Sequence, residues 1–481
     1  MRNLLSLMCL APFSLLAQVS VEWVDDFGGI SLALDEFNNV YTINYVHGPG
    51  GDITITKRDQ DGNFIWDATY DNTDNTKFES ATWITVDSQN DIIISGDVNS
   101  GIANPVKANS IAMKFDQEGN LIWRNVYETV FDGSYTKRCL VDEFDNVYVL
   151  GMGSGPNGFV SKVKKFDSNG AEIWEYYDSA GIGIAQNFKL TPEGNILISG
   201  RAMFGNLNGY AKIDTNGNHL WSIAGVPSLT VGDADGDSFG NAYIVHAETA
   251  GGGGSIIKKI SPQGTLIWED VYAISAFRVE VGSDNFPVIC GFPNSGTPGS
   301  AFIKVNEDGG IVWQNLNADG AYNLLLHAHL IMDSSDNIYL AAGTLFEMAV
   351  CKVNADGSGG WIQTTSGSYA NAIAIGNDGH VYVAGGNTAK FSQELLAGCT
   401  DASACNYNPA AATDDGSCEY NSCLCAGDLN GDNLVTIADM LIFIPNYGCS
   451  SACGSSDLDG NGFVNSNDLL LIISYYGNSC L

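Results

Sequence analysis

Hydrophobic and polar positions alternate in short runs along most of the chain. Runs such as DIIISG, NVYVLG and NILISG are rich in β-branched and aromatic residues and are bounded by Gly, Asn or Asp, a pattern typical of β-strands. Phrases such as FDQEGNLIW place a polar turn with a Gly between two apolar halves. The pattern therefore predicts antiparallel hairpins over most of the first four hundred residues.

Two phrases recur along residues 19–397. One ends in Trp, and its copies end at Trp23, Trp66, Trp123, Trp174, Trp221, Trp268, Trp313 and Trp361, at spacings of 43 to 57 residues. The other has the form D..N.Y and starts near Asp35, Asp87, Asp142, Thr191, Asp237, Ser283, Asp333 and Gly376. A unit of this length supplies four strands and has to stack on its neighbours to bury both faces. We therefore expect the repeated tryptophans to pack one unit against the next.

The two ends of this repeat region complement each other. The eighth copy has no Trp strand after it, whereas the N-terminal VSVEWVDDF is a Trp strand with no partner before it. We expect residues 19–27 to form the outer strand of the last unit. The predicted fold is mainly β: an eight-bladed β-propeller closed by the N-terminal strand, with a small α-helical domain at the C-terminus. The repeat resembles the bacterial tryptophan-docked and SBBP-type β-propellers, which implies a fold but no particular activity.

Charge and the N-terminal segment limit the partners and the location. The formal charge is −34, so nucleic acid and anionic membranes are not expected partners. Residues 1–17 have the form of a signal peptide, and no later run is long enough for a membrane span. We expect a secreted or cell-surface protein with a propeller over 18–397, a Cys-rich connector over 398–425 and a calcium-binding domain over 426–481.

Cysteines are distributed unevenly. Eight of the 12 lie in residues 399–480, which predicts a disulfide framework with 105 possible pairings. Cys139, Cys290 and Cys351 are scattered, and we expect them to be buried apolar residues. The segment CTDASACNYNPAAATDDGSC resembles a Cys-rich connector of exported bacterial proteins and implies a stapled spacer.

Two loops near the C-terminus have the spacing of calcium ligands. Both place oxygen atoms at positions one, three, five, seven, nine and twelve, where position seven uses its backbone carbonyl. The predicted ligands are Asp428, Asn430, Asp432, Leu434, Thr436 and Asp439 in the first loop, and Asp457, Asp459, Asn461, Phe463, Asn465 and Asp468 in the second. An apolar run of helical length follows each loop.

This arrangement resembles the dockerin family, in which two loop–helix motifs bind Ca²⁺. The resemblance covers residues 426–477 and implies two calcium ions. In cellulosomal dockerins, positions ten and eleven help to recognise a cohesin partner. Here these positions hold Ile437–Ala438 and Ser466–Asn467, which match neither each other nor the familiar Ser-Thr pair. A cohesin partner is therefore doubtful, and another surface protein or a glycan stays open.

The innermost strand of each unit precedes the D..N.Y phrase. The residues that stand about four positions before the start of this phrase are Ser31, Trp83, Arg138, Asn187, Arg278, His329 and Ala372. Of these, we expect Trp83, Arg138, Asn187, Arg278 and His329 to approach the central channel and to hold an anionic sugar or a carboxylate. The alternative is that they satisfy neighbouring backbone groups. Unit five is left out because its register is unclear. Its DADGDSFGN stretch is interpreted as an inserted acidic loop rather than a calcium loop of Asp233, Asp235 and Asp237, because no closing acid stands at the twelfth position.

These observations favour an exported, non-enzymatic binding or scaffold protein with a calcium-stabilised tail. No P-loop, nucleophile elbow or zinc-helix motif occurs in the sequence. The alternative is an extracellular carbohydrate-active enzyme, a polysaccharide hydrolase or lyase, with its site on the propeller axis. A convergent acid–base constellation at the channel would distinguish the two.

Overall fold

The computed structural model consists of two compact units, residues 1–394 and 395–481. It describes residues 19–45, 52–71, 78–99, 108–127, 135–155, 158–178, 182–201, 207–228, 232–247, 254–294, 299–316, 326–393, 397–398, 413–414, 417–418, 427–430, 432, 434–449, 454–456, 458, 463–474 and 476. No helix in these ranges is long and apolar enough to cross a membrane.

The first unit contains eight antiparallel four-stranded sheets, the blades of a propeller. Blades 1 to 4 consist of β2 (Ser31–Leu34), β3 (Val40–Tyr45), β4 (Ile53–Arg58) and β5 (Phe64–Tyr70); β6 (Phe78–Val86), β7 (Ile92–Asn99), β8 (Ala108–Phe115) and β9 (Leu121–Tyr127); β10 (Tyr135–Val141), β11 (Val147–Gly155), β12 (Gly158–Phe166) and β13 (Glu172–Tyr177); and β14 (Ile184–Leu190), β15 (Ile196–Arg201), β16 (Leu207–Ile213) and β17 (His219–Pro227).

In blades 5 to 8, as in blades 1 to 4, the strands are given from the innermost to the outermost. They consist of β18 (Asp233–Gly236), β19 (Ala242–Ala247), β20 (Ser255–Ile260) and β21 (Leu266–Tyr272); β22 (Ile274–Val281), β23 (Pro287–Pro293), β24 (Ala301–Val305) and β25 (Ile311–Asn315); β26 (Leu326–Met332), β27 (Ile338–Gly343), β28 (Glu347–Val353) and β29 (Trp361–Ser366); and β30 (Ala370–Ile375), β31 (Val381–Gly385) and β32 (Thr388–Gln393), with β1 (Val19–Asp25) outermost.

The N-terminal strand closes the ring, as the sequence predicts. Strand β1 pairs with β32, with Val21 opposite Phe391. Blade 8 also joins blade 1 directly, because the Gly29 N–H donates to the Gly385 carbonyl at 3.0 Å and the Asn377 N–H donates to Asn38 Oδ1 at 2.7 Å. The eight-bladed fold and its closure are therefore confirmed.

Each blade packs on the next through buried apolar side chains. Ile43 of blade 1 and Ile94 of blade 2 share one cluster, while Leu32 of blade 1 and Tyr382 of blade 8 share another. The three scattered cysteines lie in these cores as buried thiols outside any disulfide. Their expected role as small apolar residues is confirmed.

The repeated tryptophans dock neighbouring blades. Six of the eight indole N–H groups donate to backbone carbonyls in the next blade's outer turn: Trp23 to Gln60, Trp66 to Gln117, Trp123 to Ser168, Trp174 to Thr215, Trp268 to Glu307 and Trp313 to Ala355. The indole also covers a glycine of that turn. At Gly170, with φ of +84°, an added Cβ would lie 2.7 Å from Trp123 Cδ2. The turn needs a left-handed residue without a side chain, so Gly is required.

The D..N.Y phrase is a structural turn between the first and second strands of a blade. In blade 3, Asp142 Oδ1 accepts the N–H groups of Phe144 at 3.0 Å and Asn146 at 2.9 Å. Asp142 Oδ2 accepts the hydroxyl of buried Tyr148 at 3.0 Å. We call the side of the propeller that carries these turns the turn face.

The described part of the second unit contains two short helices, α1 (Ile437–Phe443) and α2 (Ser466–Ser474), and two 3-10 helices, Ile444–Asn446 and Gly454–Ser456. Short strands β33 (Ala397–Gly398) and β34 (Thr413–Asp414) pair in parallel. Thr436 caps α1, with its side chain accepting the Ala438 N–H. Val435, Phe443, Val464 and Ile472 form a small buried core. The helix expected after each loop is present.

Candidate functional site

The inner strands place their predicted channel residues in equivalent registers. Arg138 lies opposite Leu150, Asn187 opposite Ser199 and Arg278 opposite Cys290, and each follows a β-bulge. Asp233 has the corresponding position in blade 5, opposite Val245.

The interpretation of DADGDSFGN as an inserted loop is therefore wrong. Asp233–Gly236 is the innermost strand of blade 5, and Asp237 begins the ordinary turn that follows it. Asp, Ala and Gly are poor strand formers, so local composition suggested a loop. Pairing with β19 overrides this preference.

Arg138 is the centre of a cluster on the propeller axis. Its Cζ lies 4.0 Å from the centroid of the Trp83 ring, and its Nη2 lies 2.8 Å from Nε2 of His329. Its Nη1 donates to Oδ1 of Asn187. His329 meets the Trp83 ring edge-on, at 5.4 Å between centroids and 89° between planes. Four of the five predicted channel residues, contributed by blades 2, 3, 4 and 7, are thus brought together.

His329 is held in its neutral form at this position. Burial and the charges of Arg138, Arg278 and Lys189 place its pKa well below the usual value. A neutral imidazole can accept the Arg138 hydrogen bond at Nε2. Burial also lowers the pKa of Arg138, to about 10, with Arg278 adding to the effect. Arg278, the fifth predicted residue, donates to the Phe277 carbonyl at 2.9 Å.

A second cluster of charged side chains adjoins the first. The sequence pattern did not predict it. Asn187 Nδ2 donates to Asp233 Oδ1 at 2.9 Å. Lys189 Nζ lies 2.8 Å from Glu280 Oε1, 3.4 Å from Asp235 Oδ2 and 3.9 Å from Asp233 Oδ2. One half-buried ammonium group therefore faces three carboxyl groups.

The pKa values in this cluster are shifted in different directions. Burial raises the pKa of Glu280 to about 8, Lys189 opposes this shift, and Asp235 adds to it. Burial alone would lower the pKa of Lys189, but Asp235, Glu280 and Asp233 outweigh it and raise the pKa. The pKa of Asp233 is lowered in spite of its burial, because Lys189 and Arg278 favour the carboxylate. Near pH 7 the raised pKa favours a protonated Glu280, whereas the lowered pKa of Asp233 keeps that residue ionised.

Several side chains of the two clusters line a cavity of about 510 Å³ on the turn face. Trp83, Arg138, Lys189, Asp235, Glu280 and His329 supply its polar and aromatic groups, and Leu140, Leu190 and Ile331 supply apolar wall. Thr191 and Pro192, in the first turn of blade 4, also contact the cavity. A concave site with a few convergent polar groups can orient a small ligand.

The unpredicted residues of the second cluster could have been identified from their positions in the repeat. Asp233 stands four positions before Asp237, the same offset as Arg138 from Asp142. Lys189, Asp235 and Glu280 stand two positions further along their strands and line the same cavity, because alternate residues of a strand share one side. Their charge balance, however, depends on contacts between blades.

The first C-terminal loop has the geometry of a cation site. The carboxylates of Asp428, Asp432 and Asp439 offer oxygen atoms that all lie within 4.8 Å of one another. Asp439 is buried and is oriented by the N–H groups of Leu429 at 2.9 Å and Thr436 at 2.8 Å. Three carboxylates around one point form the hard oxygen set that Ca²⁺ prefers.

The other first-loop predictions have mixed support from geometry. Asn430 is part of the curled loop, since its Oδ1 accepts the Asp432 N–H at 2.8 Å. Thr436 caps the helix. Neither it nor Leu434 belongs to the carboxylate group, and both stay predicted ligands.

The second loop repeats the hydrogen bonds of the first where it is described. Buried Asp468 accepts the N–H groups of Leu458 at Oδ1 and Asn465 at Oδ2, both at 2.8 Å. These offsets of ten and three residues are the same as those around Asp439. The predicted ligands Asp457, Asp459 and Asn461 lie outside the described residues, and Phe463 and Asn465 stay predictions.

A family comparison bears on this second unit. Residues 426–477 match the model of the dockerin type I domain. Dockerin type I domains bind calcium and typically bind cohesins. The match supports calcium as the ion, and the residues present fit it. No curated protein matches the chain.

Solved structures similar to the chain are distant. They include a protein of unknown function from Bacteroides caccae (12% identity, 67% of this chain and 93% of that chain, TM-score 0.36) and a protein from Lactobacillus plantarum (15%, 60% and 85%, 0.38). A gluconolactonase from Xanthomonas campestris is 10% identical over 78% of this chain and 89% of its own, with a TM-score of 0.33. At these TM-scores the likenesses carry no argument about activity.

Proposed function

We propose that the chain is an exported, non-enzymatic binding protein whose propeller holds a ligand on its axis and whose dockerin-like tail attaches it to another surface. The convergence of Trp83, Arg138, Asn187 and His329 in one network carries this proposal. Buried polar groups cost stability unless they are paired, so a functional role is a physical reason to retain so many on the axis.

The pocket is suited to binding because its groups are held before any ligand arrives. The Arg138 guanidinium is oriented by a ring, an amide and an imidazole, and Lys189 is oriented by three carboxyl groups. Little side-chain freedom is then lost on binding. Arg138 supplies donors and Asp235 supplies acceptors, so a ligand with both kinds of group is favoured.

The remaining assignments belong to the same proposal. Residues 1–17 act as a signal peptide, 18–397 as an SBBP-like propeller, 398–425 as a Cys-rich connector and 426–481 as a module with two calcium ions. The concentration of eight of the 12 cysteines in residues 399–480 supports a stapled tail in an oxidising location. The partner of the tail is a surface protein or a glycan, and the helix residues at positions ten and eleven leave a cohesin doubtful.

Binding to the purified full chain in calcium tests this proposal. Mono- and disaccharides and small carboxylates are titrated by calorimetry against the chain and its Glu280→Gln variant, with Glu269→Gln on an outer strand as the matched control. We expect one site per chain, a tenfold or greater loss of affinity in Glu280→Gln and no change in the control. Equal affinity in all three proteins would contradict an axial site.

The alternative, a carbohydrate-active enzyme, is favoured by one observation. Burial raises the pKa of Glu280 to about 8, and Glu280 shares the Lys189 ammonium group with Asp235; a carboxyl group with a raised pKa can act as a general acid beside a second carboxyl group. Turnover of a bound saccharide that Glu280→Gln abolishes would support this alternative over simple binding.

A further inference from the structure

Exposed phenylalanines stand on the turn face. Phe37, Phe144 and Phe239 occupy the same position in the first turns of blades 1, 3 and 5 and are 61%, 74% and 72% exposed. The backbone N–H of each donates to the first Asp side chain of its turn at 3.0 Å. The turn does not require Phe there, because the same position holds Gln89 in blade 2 and Ser335 in blade 7. Exposed phenyl rings that the turn itself does not require leave flat apolar surface free to contact a partner.

Two of these turns flank the turn that borders the axial cavity. Thr191 and Pro192 of blade 4 contact the cavity, and blade 4 lies between blade 3, which carries Phe144, and blade 5, which carries Phe239. The turns of blades 4 and 5 are joined by Lys212, whose Nζ donates to the Gly240 carbonyl at 2.8 Å. Lys212 also donates to Glu193 in the first turn of blade 4, so the cavity border and the turn that carries Phe239 are joined, and Phe144 lies on the equivalent turn of the blade on the other side.

Charge selects among possible extended partners. The chain carries 55 acidic and 21 basic residues, so a polyanion is repelled. The cavity contains both a cation, Arg138, and the acids Asp235 and Glu280. Hydroxyl groups both donate and accept hydrogen bonds and can satisfy all three. The C–H faces of sugar rings are apolar and can stack on exposed phenyl rings.

Resting on the proposed axial site, we propose that the turn face binds a neutral polysaccharide: one sugar unit occupies the cavity, with hydroxyl groups bonded to Asp235, Glu280 and Arg138, and neighbouring units stack on Phe144 and Phe239. The phenyl rings of Phe144 and Phe239 extend the binding site beyond the single sugar unit that the cavity holds. Polymers therefore bind more tightly than disaccharides of the same sugar.

The test compares polymer and disaccharide binding in full-length variants. The probes are mixed-linkage β-glucan, galactomannan and arabinoxylan, their disaccharides, and alginate as the polyanion. The variants are Phe144→Ala, Phe239→Ala and the double substitution. Phe346→Ala is the control, since Phe346 is 81% exposed but lies on the β27–β28 turn, on the opposite side of the propeller. Melting temperatures check that each variant is folded.

We expect each turn-face substitution to weaken polymer binding about three- to tenfold and to leave disaccharide binding and the control unchanged. Unchanged polymer affinity in the double variant overturns this proposal and leaves the axial site standing when disaccharides still bind. Preference for alginate, or binding only to a protein partner, also overturns it. Loss of disaccharide binding in Glu280→Gln, measured separately, decides the axial site itself.

Discussion

The closure of the propeller by Trp23 gives a prediction that can be worked out from single contacts. The Trp23 indole N–H donates to the Gln60 carbonyl at 3.1 Å, and its ring covers Gly62 in the outer turn of blade 1. Gly62 has φ of +82°, and an added Cβ would lie 2.7 Å from Trp23 Cδ2. The two residues come from different blades and meet only because the ring is closed.

A double-mutant cycle measures this contact. Trp23→Ala removes a half-buried indole and one hydrogen bond, so it should lower the free energy of unfolding by about 2–4 kcal/mol. Gly62→Ala should cost about 1–2 kcal/mol for the left-handed backbone and about 1–3 kcal/mol more for the clash. In the Trp23→Ala background the clash is absent. The double variant should therefore be less destabilised than the sum of the single variants, by about 1–3 kcal/mol.

The assay is urea unfolding of the full chain in calcium, followed by far-ultraviolet circular dichroism. Trp123→Ala and Gly170→Ala form the matched pair at the interface of blades 2 and 3, where the Trp123 N–H donates to the Ser168 carbonyl at 3.1 Å and an added Cβ at Gly170 would lie 2.7 Å from Trp123 Cδ2. We expect similar coupling at both interfaces. Additive effects of Trp23→Ala and Gly62→Ala, beside clear coupling at the other pair, would refute the closure of the ring by Trp23.

Three further predictions follow from described contacts. Removing calcium with a chelator should lower the melting temperature of the second unit and leave that of the propeller unchanged, and Asp439→Asn should reproduce this loss in calorimetry, since it weakens a site of clustered carboxylates. Burial raises the pKa of Asp97 to about 7, so its contribution to stability is complete below about pH 4 and is lost as the pH rises to 7. As the pH rises from 5 to 8, the free energy of unfolding of the Asp97→Asn variant should therefore increase by about 2–3 kcal/mol relative to that of the natural chain. A parallel pH dependence of the unfolding free energy in the two proteins would contradict the shifted pKa. Asp233→Ala should lower the free energy of unfolding by about 1–3 kcal/mol, because it leaves half-buried Lys189 and Arg278 with less compensating charge. No measurable loss would show that the axial charges are not coupled.

The sequence by itself determined the number of blades, their closure and the docking role of the tryptophans. Each of these properties repeats in every unit and depends on local rules: alternating strands, a left-handed Gly such as Gly170, and a turn begun by Asp142. The same holds for the C-terminal loops, where the spacing from Asp428 to Asp439 is itself the geometry of the site. Local rules can be inferred from a linear pattern because the interacting residues are near one another in the chain.

Only the tertiary structure decided the chemistry of the axis. Arg138 and His329 are 191 residues apart, and Lys189 reaches Glu280 across 91 residues. Asp233 and Asp235 form a strand rather than a loop because β19 pairs with them and Lys189 offsets their charge. Such contacts do not repeat from blade to blade, so no periodic signal encodes them. They arise where eight different inner strands meet around one axis, and the energy of each buried charge depends on all of its neighbours.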